Sequence, residues 1–184
     1  ALAYGIYYFS FIVNTTEEKL RFQAEHDLLT GILNRNTIVK ILVSNIAGNQ
    51  NRMIAIIMTD IDHFKRINDR HGHLVGDEVL KAVTRFLGIS LREGDSLGRF
   101  GGEEFIMVLP GCHLSAALGV AERIRRLVAD TPVSTSAGDI KVSMSFGVAV
   151  MQSGWSEDSE ALINRADKAL YSAKNNGRNR VEYA

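Results

Sequence analysis

The residues best suited to chemistry are four carboxylates in two short stretches. Asp60 closes the apolar run MIAIIMTDI and Asp62 follows two positions later, while Glu103 and Glu104 follow Gly101 and Gly102 and lead straight into FIMVL. A carboxylate at the end of a buried strand is costly to desolvate unless a cation compensates it. If the strand carrying FIMVL lies beside the strand ending at Asp60, then Asp60 and Glu103 meet at one sheet edge. Hard oxygen ligands of this kind suit Mg2+, which commonly bridges protein carboxylates and substrate phosphates. Gly101 and Gly102 suit a tight hairpin turn, and without Cβ atoms they let a bulky ligand approach the backbone. Taken singly, these residues have plainer readings. Asp62 reads as the cap of a helix starting at His63, and the glutamates read as solvated residues of an exposed hairpin.

Basic groups complete the pattern. HFKRIND opens a helix whose first amides form an anion site, to which Lys65 adds charge. Lys174, Arg178 and Arg180 stand in KNNGRNR, after a further helix. Acidic metal ligands, free helix amides and separated basic residues together describe a nucleoside triphosphate site. His71-Gly72-His73 suggests a transition-metal site only superficially, since no carboxylate or cysteine set completes it, and it reads as a loop between helices.

The elements that must position these groups follow from periodicity. Residues 17–26 read as a linker helix capped by Thr15 or Thr16, broken at Gly31. A second helix over about 36–45 carries Ile38, Ile41 and Leu42 on one face. Met53–Ile61 is a continuous apolar run, the mark of a strand buried on both faces. A short helix at HFKRIND and a longer one at GDEVLKAVTRFLGISLR come next, then the strands SLGRF and EEFIMVL. LSAALGVAERIRRLVAD reads as an amphipathic helix, IKVSMSFGVAVM as a strand, and DSEALINRADKALYSAKNNG as a closing helix stopped by Gly177. Met53, Met58 and Met107 read as core, and Trp155 and the tyrosines of the last helix as packing residues. Helices alternating with strands give an α/β or α+β class with one hairpin inside the sheet.

Composition narrows the function classes. The 184 residues are 46% hydrophobic and 23% charged, as in an ordinary globular domain with a modest appendage. Lys and Arg together number 21, as do Asp and Glu, so there is no basic excess of the kind a nucleic-acid binder carries. Cys112 is the lone cysteine and can form no internal disulfide, which fits a reducing cytosol. The N-terminal run ALAYGIYYFSFIV is shorter than the ~20 residues that span a bilayer. Its density of β-branched and aromatic residues from Ile6 to Val13 favours the last strand of an upstream domain over the end of a membrane helix. IVNTTEEKLR resembles the strand-to-helix exit of a PAS sensor domain.

Six blocks in order carry a broader resemblance: DLLTGILNR (27–35), DIDHFKRIND (60–69), GHLVGDEVL (72–80), RFGGEEF (99–105), VSMSFGVA (142–149) and ADKALYSAKNNGRN (166–179). Over about residues 25–183 they resemble the GGDEF diguanylate cyclases, with the signature in its GGEEF form. The resemblance implies a central mixed β-sheet flanked by helices, as in nucleotide cyclases and polymerase palms. It implies a catalytic domain over 25–184 and an upstream remnant with linker over 1–24. By position, Asp60, the Ile61 carbonyl and Glu103 match the family's ligands for Mg2+, with Mn2+ as an alternative ion. Glu104 matches a carboxylate tied to the metal site and to activation of the attacking hydroxyl. Asn68 and Asp77 match the residues that hydrogen-bond guanine. The amides of His63 and Phe64, with Lys65, Lys174 and Arg178, match the phosphate cradle. The implied reaction joins two GTP molecules into cyclic di-GMP and two pyrophosphates in a homodimer, without nucleic acid. The setting implied is cytoplasmic, in a longer and membrane-associated protein with a sensor domain.

Arg92 and Asp95 form an R-x-x-D arrangement at the family's offset before Gly101, matching its product-inhibition site, and Arg123 matches a secondary arginine reaching the same ligand. Guanidinium forks suit guanine edges and phosphates alike. The alternative functional reading is a catalytically silent module that binds cyclic di-GMP through Arg92 and Asp95.

Overall fold

β1 (Ile54–Ile61) is buried at every position, because both of its faces carry apolar side chains and helices cover both. The computed structural model describes residues 17, 19–48, 53–152 and 158–184. A helical stretch over 19–25 leads in. Then follow α1 (Arg35–Gly48), β1, α2 (Phe64–His71), α3 (His73–Gly88), β2 (Ser96–Arg99), β3 (Glu104–Pro110) and α4 (Leu114–Asp130). β4 (Val133–Thr135), β5 (Gly138–Ile140), β6 (Met144–Met151), α5 (Ser159–Asn175) and β7 (Val181–Tyr183) complete the order.

Five strands form one mixed sheet in the order β2-β3-β1-β6-β7. Neighbours run antiparallel except β6 and β7, which are parallel. On one face Ala55, Ile57 and Ile61 join Phe105 and Met107 beneath α3 and α4. On the other, Ile54, Ile56 and Met58 join Ile106 and Val108 beneath α1 and α5. By the same alternation Asp60 and Glu104, which are register partners, fall on the α5 side at the strand ends.

α5 lies close on β6 because Gly147 has no side chain. A Cβ there would overlap the Ala166 carbonyl and the Leu170 amide of the helix. We expect Gly147→Ala to lower stability by about 1–3 kcal/mol through overpacking, measured by chemical denaturation. An unchanged midpoint would show that the helix can withdraw freely.

Several elements differ from the sequence expectation. IKVSMSFGVAVM is not one strand: Gly138–Ile140 pairs with Val133–Thr135 in a separate two-stranded sheet, and only Met144–Met151 enters the main one. The helix expected from Gly76 starts at His73, so His71 and His73 end and begin helices, with only Gly72 between them at φ 86°. Met58 and Met107 are buried, whereas Met53 precedes β1 and is 39% exposed. Tyr171 on α5 is 66% exposed and is not a packing residue. Trp155, the caps at Thr15 and Thr16, and the expected strand over 6–13 lie outside the described residues. Among the described residues, no helix is long and apolar enough to cross a membrane.

Candidate active site

The site grows from the end of β1. Asp60 stands opposite Glu104, and the next amide, that of Ile61, donates to the Glu103 carbonyl at 3.3 Å. The cross-strand partner of Asp60 is thus Glu104, one residue beyond the Glu103 that the sequence suggested, and Glu103 stands at the lip of the turn. The turn closes on Glu104, whose carbonyl accepts from the amides of Phe100 at 2.8 Å and Gly101 at 3.3 Å. Gly101 also makes room for the chain itself, since a Cβ there would press on the Glu104 carboxylate, whereas Gly102 faces open space.

Sequence reasoning missed the group that steadies this turn. Arg99 donates through Nε and Nη2 to the Gly102 carbonyl at 3.0 and 2.6 Å, and through Nη1 to both carboxylate oxygens of Asp27 at 3.1 Å. Burial pushes the Asp27 carboxyl up, but hydrogen bonds from Thr30 and the Arg99 charge outweigh it and hold the group below its usual range. Asp27 and Arg99 are 72 residues apart, so no local spacing could have joined them.

Asp60 is 7% exposed and its Oδ2 lies 2.8 Å from Lys174 Nζ, which reaches in from α5. Burial raises its carboxyl to about 6; the Lys174 contact works against this, while the Glu103 and Glu104 charges add to it. A buried carboxylate flanked by two more is a cation seeker, and Lys174 is the cation that answers it here. Among the described residues no three His, Cys, Asp or Glu side chains converge as a closed metal cluster. The oxygens found at this end of the sheet include those of Asp60, Glu103 and the peptide of Ile61. Such a set fits Mg2+, which keeps several positions for water and phosphate.

α2 begins immediately beyond, with His63 at its N-cap position in the left-handed region (φ 57°) and no side chain accepting its first amides. Asp62 therefore is not the helix cap expected from sequence. Its carboxylate instead accepts from Ser143 Oγ at 2.6 Å, Ser145 Oγ at 2.7 Å and the Asn179 amide at 3.0 Å. Lys65 and Arg178 are exposed. Arg178 lies in a turn in which Gly177, Arg178 and Asn179 all have positive φ, a conformation that disfavours non-glycine residues by roughly 1–2 kcal/mol each.

Farther along α2, Asn68 Oδ1 is buried without a hydrogen-bond partner. It fits against bare Gly76, whose Cβ would overlap it, and half-buried Asp77 follows on α3. A buried acceptor left unpaired costs about 1–3 kcal/mol. Arg92 and Asp95 pair elsewhere, and Arg123 reaches the residues just before them. Arg92 Nε contacts Asp95 Oδ1 at 3.2 Å, Arg92 Nη2 donates to the Pro110 carbonyl at 2.7 Å, and Arg123 Nη2 donates to the Ser90 carbonyl at 2.6 Å. The Asp95 side chain is only 3% exposed, whereas Arg92 is open to solvent.

The family model described as "Diguanylate cyclase, GGDEF domain" matches residues 24–180. The chain belongs to the GGDEF family. It is 43% identical over 169 residues to diguanylate cyclase DgcM of Escherichia coli K12, covering 90% of this chain and 40% of that protein. The chain spans less than half the length of the first curated relatives it matches. The crystal structure of the coiled coil and GGDEF domain of DgcB from Caulobacter crescentus, in complex with c-di-GMP, is similar at a TM-score of 0.88 and 30% identity, covering 95% of this chain and 93% of that one. The active GGEEF domain of a diguanylate cyclase from Vibrio cholerae is similar at a TM-score of 0.76 and 35% identity, covering 82% and 96%. The sheet of this GGDEF domain thus carries the expected central mixed arrangement, with the signature turn between β2 and β3.

Proposed function

We propose that this domain condenses two GTP molecules into cyclic di-GMP and two pyrophosphates. One observation carries the reading: buried Asp60, flanked by Glu103 and Glu104, is neutralised by Lys174 directly beside the uncapped start of α2. A site that draws a cation to acidic groups next to free amides suits a metal–triphosphate substrate. In this reading Asp60, Glu103 and the Ile61 carbonyl hold Mg2+, or Mn2+ in its place. The ion supplies charge stabilisation at the attacking and leaving oxygens.

The chain's own groups do the rest. The amides of His63 and Phe64, with Lys65, Lys174 and Arg178, orient the triphosphate, and Gly101 and Gly102 leave the backbone approachable. Glu104 takes up the proton of the attacking 3′-hydroxyl. That oxygen bonds to the α-phosphorus of the other GTP as its bond to pyrophosphate breaks. Each domain presents one GTP, so two domains face each other as a homodimer. Arg92, Asp95 and Arg123 bind the product and restrain the enzyme. We assign the catalytic unit to residues 25–184 and the link to an upstream sensor to 1–24.

Incubation with GTP and Mg2+ should yield cyclic di-GMP, with specific activity rising with protein concentration. Bound product without turnover would instead support a receptor module. Asn68 and Asp77 supply the base reading: Asp77 accepts from guanine N1–H and the 2-amino group, which adenine lacks. Asn68→Ala and Asp77→Ala should each weaken GTP binding about 10- to 100-fold, the equivalent of one lost buried pairing. Unchanged affinity by calorimetry in both variants would remove the guanine assignment.

A further inference from the structure

The turn carrying Arg178 is held by a carboxylate to which the reading above gives no role. Asp62 is buried, and its carboxylate accepts from Ser143 and Ser145, which flank Met144 where β6 begins, and from the Asn179 amide. Its own amide donates to the Ser143 carbonyl at 2.9 Å. Asp62 thus ties the end of β1 to the start of β6 and to the residue directly after Arg178. The tie falls on the segment with three consecutive positive φ angles, which needs outside contacts to persist. Arg125 grips the same residue from α4, donating through Nη1 to Asn179 Oδ1 at 2.9 Å, and it is itself fixed by Glu122 at 2.7 and 2.8 Å.

We infer that Asp62 is the positioning residue that aims Arg178 at the substrate triphosphate. The inference rests on the reading of Arg178 as a phosphate contact. Asp62 touches no reacting atom; it fixes the Asn179 amide, and through it the direction in which the preceding side chain leaves the turn. Because Asp62 directly follows β1, the same hydrogen bond ties the basic turn to the strand end that carries Asp60.

The test uses 3′-deoxy-GTP, which lacks the attacking hydroxyl, and guanosine, which lacks the phosphates. Asp62→Ala should weaken 3′-deoxy-GTP binding at least about tenfold, as expected for a misplaced charge-assisted contact, and leave guanosine binding within about twofold. Asp62→Asn, which keeps an acceptor for the Asn179 amide, should recover part of the loss. Combined with Arg178→Ala, Asp62→Ala should add little further loss, because both remove one contact. Parallel loss of guanosine binding, or additive losses, would overturn the inference. Hydrogen exchange at the Asn179 amide judges the tie without nucleotide: it should quicken in Asp62→Ala, and unchanged protection would overturn the tie. A wild-type protein that binds neither probe would instead sink the functional reading. Should Asp62→Ala fail to fold, the pair Ser143→Ala and Ser145→Ala leaves the carboxylate in place and should show the same selective loss at smaller size; no selective loss there would overturn the inference.

Discussion

Asp60→Asn and Glu103→Gln should each slow cyclic di-GMP formation by about a thousandfold or more while the domain stays folded. Each change removes an anionic oxygen from the proposed metal set, and a bound ion contributes several kcal/mol of transition-state charge stabilisation. Folding should survive, because Asp60 sits at a strand end beside the Lys174 side chain and not inside either apolar layer. Asp60 also carries a pH signature. Its carboxyl is raised from 3.8 to about 6, foremost by burial, so the folded state favours its protonated form. The charge therefore burdens the fold above about pH 6, and the burden disappears as pH falls toward 4. Asp60→Asn should accordingly match or exceed wild-type stability at pH 8, and this advantage should shrink between pH 6 and 4. Metal affinity runs the other way, falling as Asp60 takes up its proton below about pH 6. Product formation near the wild-type rate by either variant would remove the metal assignment.

Arg92→Ala should raise the cyclic di-GMP concentration needed for half-inhibition about 10- to 100-fold, the size of a lost hydrogen bond to a charged group, with initial turnover nearly unchanged. Arg92 lies on the turn before β2, and its nearest partners are Asp95 and the Pro110 carbonyl at the far end of β3 from Glu104. Its removal therefore leaves the carboxylate end of the sheet alone. Inhibition at the wild-type concentration would reduce the Arg92–Asp95 contact to a surface ion pair, worth little in itself. Lost turnover would mean that Arg92 supports β3 through Pro110.

The sequence made legible whatever is local and periodic. The run ending at Asp60 announced a doubly covered strand, and the glycine pair before Glu103 announced the turn between β2 and β3. The limits of α4, Leu114–Asp130, coincide with its amphipathic stretch. β4, β5 and β7 each have three residues, too few to display an alternation, and escaped notice. Helix α3 starts at His73, three residues ahead of the stretch from Gly76 that the sequence marks, and the absent side chain of Gly76 makes room for Asn68. Long-range partners were invisible for a different reason. Arg99 with Asp27, and Asp62 with Ser143, Ser145 and Asn179, are joined only by the sheet and the chain's return. Asp62 shows the hazard of local reasoning: its position beside a helix start suggests a cap, while its oxygens are committed elsewhere.

β1 is the middle strand of the sheet, bonded to β3 and β6 and covered on both faces. Backbone protected in this way opens only with the whole domain, so the place of residue 60 at the sheet's end is fixed together with the fold. Lys65 and Arg178, by contrast, stand exposed on a short helix and a turn, where substitutions typically alter stability by no more than about 0.5 kcal/mol. Evolvability is therefore unequally distributed over this surface. On the proposed reading, phosphate affinity can drift through single substitutions that the fold tolerates, whereas the backbone that carries Asp60 can shift only when the domain itself opens.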